Sequence, residues 1–163
     1  MMIKLAFLLL TVGVVAGCNN DVLGAGTPSD PATESFAPQL GVDITSFTRK
    51  ESGVYYRDVV VGSGEEAAAA DQVTITYAGY LTDGTLFDRQ STPFQQSLAA
   101  FVQGFRDGIV GMRAGGVRKL VIPSELAYSW RGRTEGSVRI PRNATLVFDV
   151  ELFAVTKPTT TTQ

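Results

Sequence analysis

The chain has 163 residues, 44% of them hydrophobic, with 14 Lys and Arg against 16 Asp and Glu, a single Cys and no His. That is enough for one ordinary domain of mixed composition, and a net charge of −2 argues against a nucleic-acid partner. Without His there is no Ser-His-Asp or Cys-His catalysis and no His-based metal site, and a lone thiol forms no internal disulfide.

The chain opens like an export signal. Lys4 supplies a minimal basic start, and the apolar run Leu5 to Val15 is too short to span a bilayer comfortably. It ends in Val15-Ala16-Gly17-Cys18, which resembles the lipobox of bacterial lipoproteins. The resemblance implies a diacylglyceryl group on Cys18, cleavage before it, and a mature protein held on a membrane by its acyl chains. The alternative is an ordinary secretory signal that carries a Cys. Asn19 is not the Asp that commonly retains such proteins in the inner membrane, so a Gram-negative cell would place the chain on the outer membrane, facing the periplasm.

Residues 18–40 are rich in Asn, Asp, Gly, Pro, Ser and Thr and are expected to form a flexible tether with a reach of roughly 25 Å. The expected division is therefore a signal over 1–17, a lipid-anchored tether over 18–40, a folded domain over 41–157 and a polar, disordered tail over 158–163.

A β pattern begins at Val42, and SGVYYRDVVVG (52–62) reads as a strand leaving through Gly62-Ser63-Gly64. After a polar, Ala-rich connection, Val73, Ile75 and Tyr77 alternate with Thr74, Thr76 and Ala78, the period of a strand with one buried face. Asp83-Gly84 marks a hairpin turn, and the chain returns through Leu86 and Phe87 to Asp88. That hairpin brings Tyr77, Phe87 and Asp88 together. Arg89 to Thr92 reads as a short loop and Pro93 to Leu98 as a brief edge strand.

Phe101, Phe105, Ile109 and Met112 lie on one stripe of a helix expected over 98–112. Gly104, Gly108 and Gly111 each weaken it by up to ~1 kcal/mol, so it must be held by packing on the sheet. Gly115-Gly116 ends it. VRKLVI (117–122) is a strand, 126–142 a loop carrying Tyr128, Trp130, Ile140 and Pro141, and NATLVFDVELFAV (143–155) the last strand. In that loop Arg131, Arg133, Arg139 and Arg142 read as a solvated rim, with a patch for an acidic partner as the alternative. Strands interrupted by one helix make an α+β pattern, the helix on one face of an antiparallel sheet.

VTITYAGYLTDGTLFD, FVQGFRDGIVGMRAGG, VRKLVIPSELAY and IPRNATLVFDVEL, in this order, resemble the FKBP-type peptidyl-prolyl cis-trans isomerases over roughly residues 50 to 155. The resemblance implies a five- or six-stranded antiparallel half-barrel wrapped around one short helix, with an aromatic pocket between helix and sheet. It implies a catalytic role for Tyr77, Asp88 and Tyr128, and substrate-binding roles for Phe87, Phe94, Phe101, Val102, Phe105, Ile140 and Phe148. The Val102 N–H would donate to a substrate carbonyl. Phe105 stands where the family usually has Trp, Gln96 where an aromatic is frequent and Arg139 where an apolar residue is common. Arg89 stands in for a basic residue that pairs with the Asp88 position.

The implied activity is peptidyl-prolyl isomerisation, by desolvation and distortion of the X-Pro amide, during folding of exported proteins. It needs no cofactor and no metal. The expected partners are unfolded or Pro-containing polypeptides and the membrane through the lipid on Cys18, and the default is a monomer. The alternative is a non-catalytic module of the same fold that binds Pro-containing or apolar segments. A small-solute-binding lipoprotein is a weaker option, since such proteins are typically larger and two-lobed.

Overall fold

The computed structural model describes residues 28, 30–136 and 138–158. Six antiparallel strands form one open sheet: β1 (Thr48–Arg49), β2 (Tyr55–Val60), β3 (Gln72–Leu81), β4 (Leu86–Ser97), β5 (Gly116–Ile122) and β6 (Leu146–Thr156). Their lateral order is β1-β2-β5-β6-β3-β4, with β1 and β4 at the edges. The helix α1 (Gln103–Ile109) packs on one face. The expected α+β class and helix-on-sheet arrangement are what the chain adopts.

Strand alternation decides which side chains meet the helix. Leu120 and Ile122 on β5, with Leu146, Phe148, Val150 and Leu152 on β6, join Phe105 and Ile109 of α1 in the main core. Val121 and Val147 point the other way. A Cβ on Gly104 would collide with Ile122, and one on Gly108 would come within 2.6 Å of Leu120. These two glycines let α1 lie close against β5.

The helix is shorter than the expected 98–112. Leu98–Ala100 form a separate 3-10 turn capped by Ser97, Phe101 and Val102 are extended, and α1 has seven residues. Gly111, at φ +82°, lies just beyond the helix in the left-handed region that Gly adopts at little cost. Phe105, Ile109 and Met112 are buried as the stripe requires, while Phe101 is half-buried and precedes the helix.

The expected loop at 89–92 is also corrected. Arg89 pairs with Ala78, Gln90 with Tyr77 and Phe94 with Ile75, so β4 runs unbroken and residues 91–93 bulge opposite Thr76. Pro93 sits in that bulge on an edge strand, where its missing N–H is tolerated. Two other bounds shift. The last strand begins at Leu146 rather than 143, and after Val42 the chain makes a 3-10 turn at Ile44–Ser46 before β1.

The expected tether boundary at residue 40 moves as well. Phe36, Ala37 and Leu40 pack with Val121 and Val147 into a second small core on the face away from α1. The Ala37 N–H donates to the Thr82 carbonyl at 2.8 Å, and the Thr145 hydroxyl to Glu34 Oε1 at 3.1 Å. The docked segment thus starts by Glu34; a few apolar side chains in a polar stretch suffice to hold it. Cys18 and the signal lie outside the described residues, as does the tail from residue 159. Among the described residues no helix is long and apolar enough to cross a membrane.

One buried charge braces the frame. Arg118 on β5, 4% exposed, makes a bidentate pair with Asp58 on β2 at 2.6 and 3.0 Å and donates to the Gly108 carbonyl of α1 at 2.9 Å. Its guanidinium also lies 4.4 Å from the Tyr56 ring centre. Each of the three guanidinium nitrogens has an acceptor, the condition under which a buried cation is tolerated.

Candidate functional site

Tyr77 of β3, Phe87 and Asp88 at the start of β4, Phe105 of α1 and Phe148 of β6 converge between the helix and the sheet. Gly79 makes this convergence possible: a Cβ there would stand 2.6 Å from the Phe148 ring and 2.7 Å from the Phe87 ring. With only hydrogen at that position, Phe87 and Phe148 meet edge to face, their ring centres 5.5 Å apart and their planes at 88°.

The other rings continue the cluster. Phe105 meets Phe148 at 5.0 Å and Tyr77 at 5.6 Å, both edge to face, and Phe101 lies 4.7 Å from Phe105. Such pairs contribute about 0.5–1.5 kcal/mol each beyond the area they bury, so the walls are stiff. They enclose a cavity of about 140 Å³ lined by Tyr77, Phe87, Asp88, Ala100, Phe101, Val102, Phe105, Tyr128 and Phe148.

Two expected wall residues sit elsewhere. Phe94 is half-buried behind the cavity, edge-on to Tyr77 at 6.1 Å and Phe101 at 6.3 Å, because its β4 position lies beyond the 91–93 bulge. Ile140 is 1% exposed in the main core and supports the loop that carries Tyr128. Neither is among the lining residues. Ala100, which does line the cavity, carries no signal that a sequence could reveal.

The cavity also has a polar edge. The Tyr77 hydroxyl donates to Asp88 Oδ2 at 3.3 Å, and burial with the neighbouring Asp88 charge pushes the Tyr77 phenol up to about 12. Val102 caps α1 in an extended conformation, and none of the hydrogen bonds among the described residues uses its N–H. The cavity therefore offers apolar walls, a phenol, a carboxylate, a hydroxyl on Tyr128 and a backbone donor. Among the described residues no group of three or more His, Cys, Asp or Glu is placed to hold a metal ion.

The partner of Asp88 is not Arg89. Arg89 pairs with Ala78 and is exposed, and strand alternation turns it to the opposite face from Asp88. Arg133 takes the place instead, with Nη1 3.8 Å from Asp88 Oδ2. Its guanidinium carbon lies 5.4 Å from the Tyr128 ring centre and 5.7 Å from that of Phe87. Arg133 is thus part of the site and not the solvated rim expected of it. Arg131 and Arg139 are exposed, as a rim residue should be.

Residues 63–153 match the model of the family described as FKBP-type peptidyl-prolyl cis-trans isomerase. The chain belongs to that family. An FKBP-type peptidyl-prolyl cis-trans isomerase, FkpA, of Escherichia coli is 40% identical over 125 residues, 75% of this chain and 43% of that protein. An FK506-binding protein of Neisseria meningitidis is 40% identical over 108 residues, 63% of this chain and 96% of the relative. The crystal structure of a peptidyl-prolyl cis-trans isomerase from Pseudomonas syringae superposes with a TM-score of 0.64 at 29% identity, covering 69% of this chain and 82% of that one. The chain spans less than half the length of the E. coli relative and nearly all of the Neisseria one. Within this FKBP-type frame, the Arg133 contact with Asp88 is the feature that sequence reasoning missed. Its signal was present, a basic residue five positions after Tyr128, but the fold of the loop decides where it points.

Proposed function

We propose that this FKBP-type chain catalyses cis-trans isomerisation of X-Pro bonds in polypeptides. One observation carries the proposal: a cavity of about 140 Å³ lined by the rings of Tyr77, Phe87, Phe101, Phe105, Tyr128 and Phe148 together with the Asp88 carboxylate. A dry cavity of roughly 150 Å³ accepts a benzene molecule, so a prolyl ring is of suitable size.

Twisting the amide means losing resonance, a barrier of ~18–20 kcal/mol, whereas cis and trans differ by only ~0.5–1 kcal/mol. Catalysis needs a lower barrier and no driving force. The twisted amide has less charge separation than the planar one, so exchanging water for phenyl rings penalises the planar ground state more. Tyr77, Phe105 and Phe148 hold the ring, while the Tyr128 hydroxyl and the Val102 N–H fix the carbonyls on either side. Interactions that strengthen as the amide twists are the ones that raise the rate. Asp88 orients the Tyr77 phenol and takes no part in proton transfer.

The client class is unfolded or Pro-containing polypeptide, the protein is a monomer, and no cofactor enters the reaction. The Val15-Ala16-Gly17-Cys18 motif supports a lipid anchor on Cys18 and a place on a membrane outside the cytoplasm, where slow X-Pro steps limit folding of exported chains. The test is refolding of a protein whose slow phase is an X-Pro isomerisation. Catalytic amounts of the chain should accelerate that phase. Binding of the unfolded client with an unchanged rate would favour the non-catalytic module, and neither effect would remove the pocket as drawn.

A further inference from the structure

Beside the prolyl cavity lies a second depression of about 370 Å³ that shares Phe87 and Asp88 with it and is otherwise lined by Leu86, Arg89, Arg133 and Gly136. A chain whose proline fills the first must pass its neighbouring residue over or into the second. Arg133 and Asp88 are the charged side chains that face this cleft, and Arg89 borders it along β4 with its side chain turned to the other face. Arg133 is held there firmly. Its backbone N–H donates to the Ile140 carbonyl at 3.0 Å and its carbonyl accepts from the Ile140 N–H at 2.8 Å, and Ile140 is itself 1% exposed. The rings of Phe87 and Tyr128 lie within 6 Å of its guanidinium, as cation–π contact requires.

The guanidinium is not fully used in the free molecule. Its contact with Asp88 is long, 3.8 Å, and its buried Nε has no hydrogen-bond acceptor among the described residues. The side chain is 24% exposed, and Arg133 lines the cleft. A planar fork of donors with one loosely held carboxylate matches a second carboxylate well.

We propose that Arg133 forms a subsite for an acidic side chain next to the proline, so that the chain favours X-Pro segments flanked by Glu or Asp. This rests on the isomerase reading and specifies its substrate class.

The test uses the full chain and two series of blocked peptides, with Glu, Gln or Lys either before or after the proline. Isomerisation kcat/KM is measured for each by exchange NMR at low salt. On the side that reaches the cleft, Glu should exceed Gln by roughly three- to tenfold and Lys should fall below Gln. The Glu advantage should shrink with added NaCl, fall to about one in Arg133→Gln and survive in part in Arg133→Lys. A Glu-to-Gln ratio of about one on both sides of the proline, in the unmodified chain, overturns the subsite whatever the variants do. So does a ratio that persists in Arg133→Gln. Equal turnover of all peptides removes the subsite and leaves the isomerase intact. Absence of turnover for every peptide removes the isomerase reading, and the Glu and Gln peptides are then compared by chemical-shift titration, where equal affinity removes the subsite as well.

Discussion

The Tyr77 hydroxyl and the Asp88 carboxylate meet at 3.3 Å across β3 and β4, and this single bond closes the polar edge of an otherwise aromatic cavity. Removing the acceptor frees the phenol and leaves Arg133 without its ion pair. Asp88→Ala is expected to lower kcat/KM about tenfold, equivalent to about 1.4 kcal/mol, with the fold retained. Tyr128→Phe should act in the same direction. Unchanged rates in both variants, with native circular dichroism, would show that the reaction site lies elsewhere.

Tyr77 should also be visible in a titration. Its phenol is pushed up to about 12, by burial first and then by the Asp88 charge. A folded pKa above the unfolded one means that the folded state holds the proton more tightly. The associated stability is fully present below about pH 10 and is lost as the pH rises through about 12. The Tyr77 phenol should ionise late in an absorbance titration. That late step should vanish in Tyr77→Phe.

Gly79→Ala tests the packing that shapes the cavity. The added methyl would stand 2.6 and 2.7 Å from the Phe148 and Phe87 rings, and their edge-to-face contact must open. A loss of about 1–3 kcal/mol in urea unfolding is expected, together with weaker peptide binding. Wild-type stability and wild-type affinity would contradict the packing described.

Arg118 should matter to stability and not to turnover directly. Arg118→Ala leaves Asp58 and the Gly108 carbonyl without their partner and is expected to cost about 3–5 kcal/mol. Replacing both members of the pair, Arg118→Met with Asp58→Leu, should recover much of that loss. A double variant no better than the single one would mean that the geometry of the fork, and not the unpaired charge, sets the cost.

Much of the frame was legible because its signals are local. The alternation of Val73, Ile75 and Tyr77, the Asp83-Gly84 turn and the Phe105, Ile109 and Met112 spacing each report a face or a turn. What was not legible depends on partners far along the chain. Arg89 to Thr92 looked like a loop because no hydrophobic period runs through it; pairing with Ala78 and Tyr77 makes it strand. Residues 34–40 looked like tether because their composition is polar, yet Phe36 and Leu40 find Val121 and Val147. Phe94 was expected on the cavity wall from the family resemblance, and the 91–93 bulge sets it behind Tyr77 instead. Arg133 reaches Asp88 only because the 133–140 backbone pairing folds the loop back over the site.

The most direct test of the central claim is cis-trans exchange of a short X-Pro peptide followed by NMR in the presence of the chain. At catalytic protein concentrations exchange broadening or cross-peaks between the cis and trans proline signals are expected, with protein shift changes confined to Tyr77, Val102, Phe105 and Tyr128. Unchanged exchange with no shift at these residues, in a folded sample, would contradict it.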